Sequence, residues 1–385
     1  MNGIQHSQEE RREVRRKRRI RNQILAYILL VIFLIGATVG GYHLAKELQV
    51  RRNQQQQQAQ QSQDKLDEIL ASEESIVPTP EPTPEVVEVS PEEKFEQMLD
   101  ELIAQMPLED KVAGLFIVTP EAITGVNTAV MAGDGTRNAL EKYAVGGLIY
   151  FQKNIESAEQ MKEMLSNTQS FSRYPLFLAV DEEGGKVARL AAAGIYEGVE
   201  SASKIGATGD PNNAYIAGAT IGSALSSLGF NLDFAPVADV ANVGGSIMAE
   251  RSYGADAAKV AEFVTAMMQG LEENGVTGCL KHFPGIGCTT DDTHNGLAFS
   301  DRSEEQFKAE ELTVFGEGID AGAKMIMVGH MSAPNLTGNN DPCIFSEKLI
   351  TQILRQEMEY EGVIITDALN MGAISNYYGA DEAAI

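Results

Sequence analysis

Between Ser90 and Ile385 the chain repeats one pattern: a short apolar, β-rich run followed by a longer helical stretch. The runs are Val112–Val118, Val145–Phe151, Leu176–Val180, Asn231–Pro236, Val276–Leu280, Lys324–Val328 and Val363–Thr366. Ala/Glu/Gln/Met-rich segments of helical character lie between most of them. Alternation of this kind implies a parallel sheet with helices packed outside it. About 295 residues in one unit suits a TIM-type (β/α)8 barrel better than a small open sheet. Seven strands are counted, and the chain reaches Ile385 inside what reads as the helix after the seventh. The expected fold is therefore a (β/α)8 barrel truncated after its seventh strand and following helix. Such a barrel exposes two strand edges and part of its core.

The segment before this unit has a different character. Residues 1–22 hold eight Lys/Arg against three Glu, an excess of five positive charges. The chain as a whole carries −25, so the remainder is about −30. Ile24 to Leu44 then supplies about 21 residues without a charge, near the roughly 20 that a spanning helix needs. The sign asymmetry marks a membrane boundary, with residues 1–22 cytoplasmic, 23–45 a signal-anchor helix and everything beyond outside the cell membrane. A cleaved secretory signal is the alternative, since Gly36 to Gly41 contains small residues. Residues 46–89 read as a disordered stalk, Gln-rich from Gln54 to Gln63 and Pro/Glu-rich from Val77 to Glu85. An acidic ectodomain repels nucleic acid and anionic lipid, which excludes both as partners of this part. The folded domain, 90–385, opens at a capping box. Ser90 stands three residues before Glu93, Pro91 takes the first helical position, and Phe95, Met98, Leu99, Leu102, Ile103 and Met106 fall on one face. Pro107 ends that helix.

The chemistry concentrates in Lys281-His282-Phe283-Pro284-Gly285-Ile286-Gly287-Cys288-Thr289-Thr290-Asp291-Asp292-Thr293-His294. An apolar run delivers a cation and an imidazole, then a Gly/Pro/Thr/Asp loop that closes on an acid two residues before a second imidazole. Two of the chain's five histidines sit here. A buried strand ending in an acid-base loop is how an α/β barrel presents a catalytic site. Cys279, Cys288 and Cys343 have no metal-ligand spacing and read as free thiols, a Cys288 disulfide being the alternative. There is no His-x-x-Glu-His, no phosphate-cradling Gly loop after a strand and no Cys cluster, so no metal or cofactor is expected.

This segment resembles the Lys-His-Phe-Pro-Gly-x-Gly…Asp-Ser/Thr-His signature of glycoside hydrolase family 3, in its β-N-acetylglucosaminidase (β-N-acetylhexosaminidase) branch. Further matches follow in the family's order: Asp181-Glu182-Glu183-Gly184-Gly185-Lys186-Val187-Ala188-Arg189, Asn231 to Asp239, Arg251-Ser252-Tyr253-Gly254, His330 after a strand, and Thr366-Asp367-Ala368-Leu369. Together they cover roughly residues 95–380. One departure is Ile286, where many relatives carry His. It implies altered loop packing with the catalytic positions retained.

Read alone, Asp367 after the seventh run is as good a helix cap as a nucleophile; the resemblance implies the nucleophile. Likewise His294 and Asp292 alone are a loop pair, and the resemblance implies an acid/base imidazole oriented by a carboxylate. Asp291 could stand in for Asp292. The resemblance further implies substrate binding by Asp181, Arg189, Arg251, Lys281, His282 and His330. For Arg189 and Arg251 a structural ion pair is the competing reading, and for His330 a core position. Glu182 and Glu183 read as a solvated turn or helix start, and Asp233 and Asp239 as loop anchors. The implied function is a retaining exo-β-N-acetylglucosaminidase acting on terminal β-linked GlcNAc of peptidoglycan-derived or related glycans. The alternatives are a β-glucosidase or GlcNAc phosphorylase of the same family, or a non-catalytic wall-binding module.

Overall fold

Each of the seven apolar runs contributes one strand to a single parallel sheet. The strands are β1 (Ile117–Val118), β2 (Gly147–Tyr150), β3 (Phe177–Val180), β4 (Leu232–Asp233), β5 (Thr277–Phe283), β6 (Met325–Val328) and β7 (Val363–Thr366). They pair in chain order, each parallel to the next. The computed structural model describes residues 90–384 apart from His294. The expected cytoplasmic segment, membrane helix and stalk lie outside the described residues, and among those described no helix is long and apolar enough to cross a membrane.

Side chains alternate between the two faces of each strand. Leu148, Tyr150, Leu178, Val180, Leu280, Ile326 and Val328 point outward into a large core shared with the helices, among them 158–171, 212–228, 257–273 and 311–320. Ala179, Leu232, Phe234, Cys279, Met325 and Met327 form a second, inner cluster. Ile117 of β1 and Ile365 of β7 both pack against that inner cluster, although they stand on opposite end strands. The sheet therefore curls around a common axis as a barrel wall does. Among the described residues β1 and β7 each pair on one side only.

Two expectations are corrected. The first run is mostly not strand: Leu108–Ala113 is helical, with Glu109 and Asp110 in its first turn, and only Ile117–Val118 pairs with β2. Acidic residues at a helix N-terminus stabilise it electrostatically, which outweighs the β preference of Val112. The fifth strand, in contrast, continues past Leu280 to Phe283 and so carries Lys281 and His282 itself.

The capping box is formed as read: Ser90 Oγ accepts from the Glu93 amide at 3.1 Å and Glu93 returns a bond to the Ser90 amide at 2.8 Å. The helix it starts, α1 (Pro91–Gln105), does carry the apolar stripe. However, the described residues leave Phe95, Met98, Leu102 and Ile103 about half exposed.

Candidate active site

A cavity of about 550 Å³ opens where β2, β3, β5 and β7 end. Its wall is polar: Asp181 and Glu183 follow β3, Lys281 and His282 lie near the end of β5, Asp367 follows β7, Arg189 opens the short helix 189–192, and Arg251 and Asp292 come from loops. Its floor is apolar and includes Ile117, Ile149, Met327 and Ile365 from the strands themselves and Phe234 just after β4. Lys281 and His282 are adjacent yet both line the cavity. Strict alternation would send one of them outward, but the pairing register with β6 slips between Lys281 and Phe283. An irregularity of this kind re-aims a side chain.

The polar wall is one continuous chain of contacts. Arg189 Nη2 stands 3.8 Å from Asp181 Oδ2, and Lys281 Nζ donates to Asp181 Oδ1 at 2.8 Å. Lys281 Nζ also lies 2.7 Å from Glu183 Oε1. Glu183 in turn accepts from Arg251 Nη2 at 2.6 Å and Nε at 2.8 Å, a two-pronged pair. Arg251 Nη2 reaches His282 Nε2 at 3.5 Å, and His282 Nδ1 meets Asp239 Oδ2 at 2.7 Å. Charges alternate from Arg189 through Asp181, Lys281 and Glu183 to Arg251, so each of these ions has an opposite neighbour, as burial requires, and Asp239 is satisfied by hydrogen bonds. Burial would raise the Glu183 carboxyl, but the charges and hydrogen bonds of Lys281 and Arg251 outweigh it and bring it down to about 2. The same carboxylates hold the buried Lys281 ammonium above its ordinary value.

Glu183 is therefore the residue that sequence reading missed. It was expected in a solvated turn with Glu182. Instead both are buried, in a short strand (182–184) paired antiparallel with 187–188. Glu182 accepts from the Leu190 amide at 2.7 Å, the Ala191 amide at 3.2 Å and the Tyr196 hydroxyl at 2.8 Å, so it ties down the turn that presents Arg189. The available signal was charge bookkeeping: Lys281 and Arg251 beside a single Asp181 leave a cation in need of a partner.

The remaining site residues fall as follows. Asp367 is half-buried; its amide donates to Val328 at 2.9 Å, and its Oδ1 accepts from the Ala368 amide at 2.7 Å. Burial raises its carboxyl, but its interactions with His282 and His330, the Ala368 bond and the charge of Lys281 bring the net value below the ordinary one. Asp292 lines the same cavity, whereas Asp291 accepts from the Phe299 amide at 3.4 Å. His294 lies outside the described residues. His330 does not line the cavity: it is fully buried, and its Nε2 donates to the Ala368 carbonyl at 2.9 Å, bracing the backbone after Asp367. Asp233 and Asp239 are loop anchors as read, bonding the Glu182 and Ile286 amides at 2.9 and 2.6 Å. Ile286 is buried at the cavity edge. The three cysteines are free and buried. Among the described residues no three His, Cys, Asp or Glu side chains are grouped to hold a metal ion.

Residues 98–385 match the family model described as the glycosyl hydrolase family 3 N-terminal domain. The chain belongs to this family. A β-hexosaminidase A from Pseudoalteromonas piscicida is 35% identical over 269 residues, covering 64% of this chain and 44% of its own length. A β-hexosaminidase from Xylella fastidiosa is 35% identical over 246 residues, 62% of this chain and 72% of that protein. Among solved structures, a family 3 β-N-acetylglucosaminidase from Paenibacillus superposes with a TM-score of 0.67 at 34% identity, covering 72% of this chain and 52% of the other. The chain thus spans about half the length of that structure and less than half of the Pseudoalteromonas relative.

Within the family 3 signature, Gly287 has a steric reason. A Cβ there would lie 2.2 Å from the Val240 carbonyl oxygen, in backbone that cannot swing away. Gly287→Ala is expected to cost about 1–3 kcal/mol, read as a lower urea midpoint. Gly135→Ala, with nothing within 4 Å of the added carbon, should leave the midpoint nearly unchanged.

Proposed function

We propose that the protein is a retaining exo-β-N-acetylglucosaminidase, removing terminal β-linked GlcNAc from peptidoglycan-derived or related glycans outside the cell membrane. The observation that carries the reading is a single cavity, at the C-terminal mouths of the strands, lined by Asp367, Asp292 and the alternating Asp181–Lys281–Glu183–Arg251–His282 wall. Support also comes from the names of the relatives, which are β-hexosaminidases and a β-N-acetylglucosaminidase. The localisation rests on the basic flank and apolar segment before residue 46.

In this mechanism Asp367 attacks the anomeric carbon while His294, oriented by Asp292, gives its proton to the leaving oxygen. A glycosyl-enzyme ester forms between sugar and Asp367. Water then attacks the same carbon, His294 takes its proton, and the Asp367 carboxylate is released with the β configuration restored. Asp181, Arg189, Lys281 and Arg251 hold the sugar hydroxyls.

The full chain should turn over an aryl β-GlcNAc with β-GlcNAc as the first product in the proton NMR spectrum. An aryl β-glucoside should react at least ~100-fold more slowly, since the site would be built around the acetamide-bearing sugar. Equal turnover of the glucoside would favour the β-glucosidase reading, a sugar 1-phosphate formed on adding phosphate would favour phosphorolysis, and binding without turnover would favour the wall-binding module.

A further inference from the structure

We propose that Asp239 is a positioning residue that makes His282 a hydrogen-bond acceptor toward the cavity. Asp239 is fully buried and does not line the cavity, so it acts only through what it holds. Its Oδ1 accepts from the Ile286 amide at 2.6 Å and its Oδ2 meets His282 Nδ1 at 2.7 Å. A carboxylate has acceptors only, so the proton on that bond sits on Nδ1. On the other side of the ring stands Arg251 Nη2, 3.5 Å from Nε2, and a guanidinium has donors only. The neutral tautomer that satisfies both neighbours carries its hydrogen on Nδ1 and turns the Nε2 lone pair toward Arg251 and the cavity. Arg251 itself is held by the two-pronged Glu183 pair, so the pairing is rigid on both sides.

The consequence is a directional reader: one wall position offers a donor, from Arg251, beside an acceptor, His282 Nε2. A hydroxyl, which donates and accepts at once, fits that pair; an ether oxygen or a fluorine, which cannot donate, does not. The kinetic part of this inference rests on the glycosidase reading, while the tautomer does not.

The test is long-range proton–nitrogen NMR of the histidine-labelled full chain, which has five histidines, with His282 assigned by loss of its signals in His282→Gln. The wild type should show His282 as the Nδ1–H tautomer. In Asp239→Asn the Ile286 amide stays a donor and keeps the amide oxygen, so the new NH2 group faces Nδ1 and the tautomer should switch to Nε2–H. An imidazolium or an Nε2–H ring in the wild type, or an unchanged tautomer in the variant, would overturn the proposal. In parallel, KM for the aryl β-GlcNAc should rise about 10- to 100-fold in Asp239→Asn with kcat changed far less. With wild type alone, monodeoxy-fluoro GlcNAc analogues should bind no better than the deoxy sugar at the position read by the pair. Tighter binding of the fluoro sugar at every position would count against an acceptor. If no aryl glycoside is turned over, the glycosidase reading fails while the NMR result still decides the role of Asp239.

Discussion

Asp367→Asn should reduce kcat on an aryl β-GlcNAc by on the order of 10^4- to 10^6-fold, the scale seen when a catalytic nucleophile is removed. The substitution is nearly isosteric, and the amide oxygen can keep the bond that Oδ1 now accepts from the Ala368 amide. Folding should therefore survive, and circular dichroism and the urea midpoint should match the wild type within about 0.5 kcal/mol. What is lost is the negative charge that, under the proposed mechanism, attacks carbon. A complementary variant, Asp367→Gly, opens space on that face. Added azide should then attack the anomeric carbon there, expel the aryl alcohol and give the α-glycosyl azide. Wild-type-like turnover in Asp367→Asn, or the absence of an α product under azide rescue, would reject the nucleophile assignment.

The pH dependence has a defined sign. Burial alone would raise the Asp367 carboxyl, but its interactions with His282 and His330, the Ala368 amide and the charge of Lys281 hold it below the ordinary aspartate value of 3.8. A depressed value means the carboxylate's contribution to stability is complete above the unfolded value and fades as pH falls through the folded one. Asp367 is then ionised throughout the neutral range, and under the proposed mechanism the acid limb of kcat/KM should show no step from it at pH 5 or above.

Lys281→Met is expected to have the largest effect on stability of any single change in the wall. The ammonium is 2% exposed and lies between Asp181 and Glu183, at 2.8 and 2.7 Å. Methionine fills most of the volume but leaves two carboxylates facing each other around an apolar chain. Breaking a buried pair by deleting one partner typically costs about 3–5 kcal/mol. The loss should show as a urea midpoint shift, and kcat/KM should fall with it because Asp181 is no longer held. The pH signature separates this from simple loss of packing. In the wild type Glu183 titrates at about 2, so its stabilising contribution persists until strongly acid conditions. Without Lys281 one of the charges holding it down is gone, and acid destabilisation should begin at higher pH. A midpoint equal to wild type at neutral pH, or an unshifted acid transition, would show that the ion chain contributes little.

The parts of this fold that were legible in sequence are those governed by local composition. Central parallel strands are covered on both faces, so 176–180 and 325–328 stand out as continuous apolar runs. Asp367 and Asp181 were legible as well, because a residue immediately after such a strand must lie at its mouth. The illegible parts depend on distant partners. Nothing local to Glu183 announces that Lys281 and Arg251, 98 and 68 positions away, will neutralise it in a buried wall. His330 was placed on the correct strand end, but whether its ring meets the cavity or the Ala368 carbonyl is decided by how β6 and β7 pack. The first strand misled for the opposite reason: Val112–Val118 is apolar throughout, yet its first two residues are captured by a helix that starts just after Pro107 and only its last two pair as strand.

The inner cluster has an implication for how such a site can diverge. Ile117, Ile149, Phe234, Met327 and Ile365 pack against one another and also face the void where a ligand would rest. Fit and foldedness are then written in the same methyl groups. A change that deepens the berth for a bulkier guest removes contacts from the barrel's own interior, and one that tightens the interior makes the berth shallower. Any route toward a new guest must cross a dip in stability or proceed by paired exchanges that conserve volume, such as a larger side chain on one strand matched by a smaller one opposite.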